Sequence, residues 1–95
     1  MKGWILSRPA RLDLDDIWLY IAKNSGSVTA DRFVARITDA IPILASFPGM
    51  GRPADAVRKR SRAFPVGGYI LYYRVTSGKI LIQRIIHGRR EQRRG

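Results

Sequence analysis

The chain reads as an α+β fold of order β–α–α–β–β–β, a helical hairpin packed on a small, mainly antiparallel four-stranded sheet. Three observations predict it. Two apolar stripes of helical period lie in the first half, and the period falls to two between Ala63 and Ile86. The third is the Pro/Gly-dense, basic stretch from Phe47 to Arg62 that separates them. With 95 residues the chain is shorter than an average domain of roughly 150, so a single domain over residues 1–95 is expected, with a basic tail from about residue 88.

Trp4 to Ser7 fits a first strand. Ser7 followed by Pro9 marks a helix start, because Ser accepts free N–H groups and Pro lacks one. Leu14, Ile17, Trp18, Ile21 and Ala22 then recur on one helical face, with Asp13, Asp15 and Asp16 expected in the first turns, where the helix dipole favours negative charge. Asn24-Ser25-Gly26 ends this helix, and Ser27 is expected to cap the next. There Ala30, Phe33, Val34, Ile37, Ile41, Leu44 and Ala45 make a second stripe. Pro42 breaks one backbone bond at a cost of roughly 3 kcal/mol, so a kinked but single helix is expected. Trp4 and Trp18 are expected to anchor the core.

Residues 47–62 read as a loop. After it, Ala63 to Val66, Tyr69 to Val75 and Lys79 to Ile86 form a three-stranded meander, with Gly67-Gly68 and Ser77-Gly78 as turns. A two- or four-residue last loop pairs Val75 with Ile80, Tyr73 with Ile82, Leu71 with Arg84 and Tyr69 with Ile86 on the core face. Arg74, Tyr72 and Ile70 then share the opposite face with Leu81, Gln83, Ile85 and His87. A one-residue slip would exchange the faces.

Charge is distributed unevenly. The net charge is +11, and the first fifty residues carry six basic and five acidic side chains against twelve and two in the last forty-five. Such a field, which reaches about 8 Å at physiological salt, attracts nucleic acid or an acidic protein. There is no cysteine and one histidine, which excludes disulfides, thiol nucleophiles and His-rich metal sites. No run has the length of a membrane span and the N-terminus lacks an apolar targeting region, so a soluble, cytoplasmic protein is expected.

Metal-free RNA cleavage needs a general base, a general acid and cations around the phosphorane. Arginine is abundant here; His87 and Glu91 are the sole His and Glu. His87 reads first as a strand-end residue with local hydrogen bonds, Glu91 as the partner of a nearby arginine, and Tyr69, Tyr72 and Tyr73 as strand packing. No catalytic residue, metal or cofactor is expected.

Six stretches in order resemble one family. They are Leu6-Ser7 before a helix, Leu14 to Ala22, Ala30-Asp31-Arg32-Phe33, Phe47 to Pro53, Phe64 to Val75, and Ile85 to Arg90. Together they resemble the RelE/ParE toxin superfamily, and its ParE (plasmid stabilisation) branch most. The resemblance implies a toxin encoded beside a ParD-like antitoxin whose C-terminal segment wraps and neutralises it. Two activities compete within the superfamily: cleavage of mRNA on the ribosome, as a RelE-like endoribonuclease, and poisoning of DNA gyrase without cleavage by the toxin. The mRNA-cleaving relatives carry an arginine where this chain has Ile70, and a tyrosine that would fall beyond Gly95; Arg90 alone matches that set, and Gly88 follows His87 where other nucleases of the superfamily have a terminal His-Tyr pair. The expectation is therefore a gyrase-directed toxin, with the endoribonuclease and a non-toxic binding module as alternatives. Tyr72, Arg74, His87, Arg89 and Arg90 are the expected partner-binding residues, with nucleic-acid contact through the basic half and no membrane contact.

Overall fold

The computed structural model describes residues 3–57 and 59–89. Seven elements follow in order: β1 (Gly3–Leu6), α1 (Arg8–Ser25), α2 (Ser27–Ser46), β2 (Arg52–Pro53), β3 (Arg62–Val66), β4 (Tyr69–Thr76) and β5 (Lys79–His87). They form one sheet of order β1-β5-β4-β3-β2, in which β1 runs parallel to β5 and the other pairs are antiparallel. The sheet thus has five strands instead of four. The extra one is β2, two residues inside the expected loop, where Arg52 pairs with Ala63 and Pro53 with Arg62.

Ser7 begins α1 as expected. Its hydroxyl accepts the Ala10 N–H at 3.1 Å and donates to the Gln83 carbonyl at 3.0 Å, so the cap also ties the helix start to the sheet. Asp13, Asp15 and Asp16 lie past the first turn, which holds no acidic residue because the helix starts as early as Arg8. Gly26, at φ 93°, is the whole connection between the helices; its N–H closes α1 on the Ala22 carbonyl. Ser27 is therefore the first residue of α2 and not its cap. The Trp18 indole N–H donates to Asp31 Oδ1 across the hairpin at 2.8 Å. Helix α2 runs through Pro42 to Ser46 as one element.

The helical stripes meet one face of the sheet. Ala10, Leu14 and Ile17 from α1 and Ile37, Ile41 and Leu44 from α2 pack against Leu71, Tyr73, Ile80, Ile82 and Ile85. Each fully buried Ile or Leu contributes about 1.5–3 kcal/mol, which makes this cluster the main stabiliser of the fold. Trp4 does not belong to it: on the short border strand β1 its side chain is 43% exposed, and Val75, at the far end of β4, is likewise exposed. A smaller cluster of Ala54, Ala63, Tyr72 and Ile86, with Ile70 against it, lies on the opposite face under the segment that joins β2 to β3. Among the described residues no helix is long and apolar enough to cross a membrane.

Candidate functional site

Both hairpins of the meander close with two residues of positive φ, Gly67 (55°) and Gly68 (89°), then Ser77 (50°) and Gly78 (75°), the geometry that follows the natural strand twist. From the second turn the register begins as expected, with Val75 opposite Ile80, Arg74 opposite Leu81 and Tyr73 opposite Ile82. It then shifts by one at a β-bulge between Tyr72 and Tyr73, so that Tyr72 faces Arg84, Leu71 faces Ile85, Ile70 faces Ile86 and Tyr69 faces His87. Gln83 is the additional residue. The expected pairs Leu71–Arg84 and Tyr69–Ile86 are thereby replaced. Arg84 leaves the core face, Ile85 enters it, and His87 passes from the side of Tyr72 and Arg74 to the side of the helices.

The bulge therefore divides the expected binding residues between two surfaces. Arg74 remains on the face away from the helices, half-buried, and its Nε is a buried nitrogen with no hydrogen-bond partner among the described residues. Tyr72, only 1% exposed, packs beneath that face and is not itself a surface group. His87 and Arg89 line a groove of about 620 Å³ between the helical hairpin and the end of β5. Arg90 and Glu91 lie outside the described residues.

The floor and helical walls of the groove are apolar, from Ile17, Ile21, Phe33 and Ile85, with Tyr20 and Tyr69 facing in. Phe33, Tyr69 and His87 form a row of edge-to-face rings, with centroids 5.6 Å apart for Phe33–Tyr69 and 5.0 Å for Tyr69–His87. Burial, reinforced by the nearby Tyr20, pushes the Tyr69 phenol above its ordinary pKa. The Arg36 guanidinium lies 5.6 Å from the centroid of the Phe33 ring. His87 is held by its own turn, where Nδ1 accepts the Arg89 N–H at 3.1 Å.

Asp13 closes the sheet side of the groove. Its carboxylate takes Arg84 in a two-pronged pair at 2.8 and 2.9 Å and accepts the Ile85 backbone N–H at 2.8 Å, occupying a sheet border that β1 is too short to cover. Sequence reasoning overlooked this role; an aspartate on the inner half of a helix, facing an arginine strand residue, is the signal that marks it. Asp16, one turn on, lines the same groove, is exposed, and makes no ion pair among the described residues. Among the described residues no three His, Asp or Glu groups come together as a metal site.

Two helices on one side of a mixed sheet are also the architecture of chains in known toxin–antitoxin structures. The chain superposes with a TM-score of 0.82 and 25% identity on a chain of the chromosomal ParDE system of P. aeruginosa, covering 92% of this chain and 96% of that one. It shares the fold of a chain of the RelBE2 toxin–antitoxin complex of Mycobacterium tuberculosis, with a TM-score of 0.69, 20% identity and coverage of 90% and 96%. In sequence it is 36% identical over 87 residues to toxin ParE1 of Caulobacter vibrioides, covering 92% of this chain and 90% of the relative, and 32% identical to toxin ParE1 of M. tuberculosis, covering 90% and 89%. The family described as the ParE toxin of the type II toxin-antitoxin system, parDE, matches residues 4–92, and the chain belongs to it.

Proposed function

We propose that this chain acts in the cytoplasm as a toxin that inhibits DNA gyrase by binding, and that a cognate ParD-like antitoxin neutralises it. The observation that carries this reading is the groove. The groups with acid–base potential, His87 and Tyr69, and the cation Arg89 share it with apolar walls and the carboxylate of Asp16, which has no ion pair among the described residues. An RNA backbone carries a negative charge at every phosphate, so this carboxylate would repel it just where cleavage would have to occur. At the place where mRNA-cleaving relatives carry an arginine, Ile70 packs against the smaller apolar cluster. Apolar walls with a few placed charges suit a protein segment.

Arg74 serves this reading as a contact for acidic partner residues on the other face, since a guanidinium nitrogen with no acceptor among the described residues favours a carboxylate that approaches it. The test is a gyrase reaction with purified toxin. Cleaved DNA should accumulate, and primer extension on mRNA from induced cells should show no cuts within codons. Discrete cuts would replace this reading with that of an endoribonuclease. Growth arrest on expression, relieved by the product of the adjacent reading frame, should accompany it; unimpaired growth would leave a binding module.

A further inference from the structure

The chain carries far more basic than acidic groups, yet the groove beside α1 is walled in part by carboxylates. Asp13 is already engaged by Arg84 and the Ile85 N–H, so its charge is compensated. Asp16 is not: it is exposed on α1 at the groove wall, without an ion pair among the described residues. One turn further on, Tyr20 stands 66% exposed beside it, a large aromatic surface left in water at the groove mouth. Facing α1 across the groove is the row Phe33–Tyr69–His87. This row already takes a guanidinium at one end, where Arg36 lies over Phe33.

Aromatic faces and a lone carboxylate around an apolar floor have one chemical preference: a cation on an aliphatic stem. The carboxylate takes the charged head, the rings take its face, and Ile17 and Ile21 take the methylenes. We propose that Asp16, Tyr20, Tyr69 and His87 form a receptor for a lysine or arginine side chain of a protein partner. The same groove ends on Arg89, so the partner segment that fills it carries an acidic residue toward the end of β5 and a basic one toward α1. This alternation fixes the direction of the segment, a specificity that a uniformly acidic tail bound to a uniformly basic surface would lack. The identity of the partner as an antitoxin rests on the function proposed above; the cation receptor does not.

Two measurements separate these claims. In the first, the full-length protein, labelled with ¹⁵N, is titrated with N-acetyl-leucyl-arginine amide and with the same dipeptide carrying citrulline, which keeps the shape and removes the charge. Saturable shifts should appear at Tyr20, Tyr69 and His87, with citrulline binding about tenfold weaker. Asp16→Asn should weaken the arginine probe about threefold, and Tyr20→Leu, which keeps an apolar side chain, by a similar factor. Both positions are exposed, so neither variant threatens the fold. Equal binding of arginine and citrulline, insensitivity to Asp16→Asn, or tighter binding of a short single-stranded RNA at the same residues would each overturn the receptor. In the second, the product of the adjacent reading frame is titrated against the same variants. Binding that Asp16→Asn leaves unchanged overturns the receptor and spares the antitoxin reading. Failure of that product to bind, with the arginine preference intact, overturns the antitoxin reading and spares the receptor.

Discussion

Tyr73 and Tyr69 stand four residues apart on the same face of β4, and their surroundings could hardly differ more. Tyr73 is fully buried; its hydroxyl donates to the Pro48 carbonyl at 2.7 Å and accepts the Gly51 N–H at 2.9 Å. Arg62 fastens the same turn through the Gly51 carbonyl at 2.8 Å. Tyr69 lies under the groove, half-buried, and its hydroxyl makes no hydrogen bond among the described residues. One end of the helix–sheet layer thus has its polar groups paired internally, and the other presents the Tyr69 hydroxyl and the Asp16 carboxylate without a hydrogen-bond or ion-pair partner among the described residues. A phenol with both partners supplied is architecture. A phenol with neither, in a groove, is available to a ligand.

The largest effect is expected at the closed end. A Cβ on Gly51 would lie 2.5 Å from Tyr73 Oη and 2.9 Å from the Ala63 carbonyl oxygen, contacts that cannot be relieved without moving backbone or a fully buried ring. Gly51→Ala should therefore destabilise the protein by about 3 kcal/mol in urea unfolding. Tyr73→Phe, which leaves the Gly51 N–H without its acceptor, should cost about 2 kcal/mol. A stable Gly51→Ala protein would show that the 47–53 turn is loosely held and would erase the contrast between the ends.

At the open end a smaller loss is expected, and at one residue. Asp13→Ala removes the acceptor of the Ile85 N–H and the two-pronged partner of Arg84, whose side chains are 13% and 32% exposed for Asp13 and Arg84. A destabilisation of about 2 kcal/mol is expected, since charged hydrogen bonds of partly buried groups are worth roughly that much. The same change in an Arg84→Ala background should be milder, because part of the loss belongs to the pair. If Asp13→Ala leaves the unfolding midpoint unchanged, the sheet border needs no guard and the groove is open on that side.

How far the sequence anticipated this division depends on the element. Both helices were legible because their stripes span several turns, and the strands because three of the four turn residues, Gly67, Gly68 and Gly78, are glycines, which take positive φ without strain. The end of β5 was not. Period two predicts apolar residues at 80, 82 and 84, whereas the chain has Ile80, Ile82 and then Ile85, after Gln83-Arg84. Two consecutive polar residues inside an apolar strand were the trace of the bulge, and a strict alternation assigned Arg84 to the core and His87 to the wrong face. Strand β2 escaped for a different reason: two residues, one a proline, have no period to read. Trp4 looked like a core anchor by type, but its exposure follows from the border position of β1, a property of strand order that local pattern does not encode. Of the residues that line the groove, His87 and Arg89 are among those the sequence marks as expected partner contacts, while Asp13, Asp16 and Tyr20 carry no such mark because their place in it comes from facing β5 across the fold.

The smallest effect tests the comparison most directly, because it substitutes nothing but one oxygen. Tyr69→Phe should be nearly neutral at pH 7, where the hydroxyl has no hydrogen bond among the described residues to lose. Its consequence appears in alkali. The folded pKa of Tyr69 is raised from 10.0, first by burial and then by Tyr20, so above the unfolded value the unfolded chain sheds its proton before the folded one does. The stability linked to this group is fully present below pH 10 and is lost as the pH rises through the folded pKa. The wild type should therefore lose stability relative to Tyr69→Phe as the pH is taken from 9 to about 11, measured by urea midpoints, with the other tyrosines common to both proteins. Introducing Tyr20→Phe into both should shrink the difference without abolishing it, because burial and not the neighbouring phenol is the greater cause. Parallel pH curves for the two proteins would mean that water reaches the Tyr69 oxygen freely and that the groove is shallower than its walls imply.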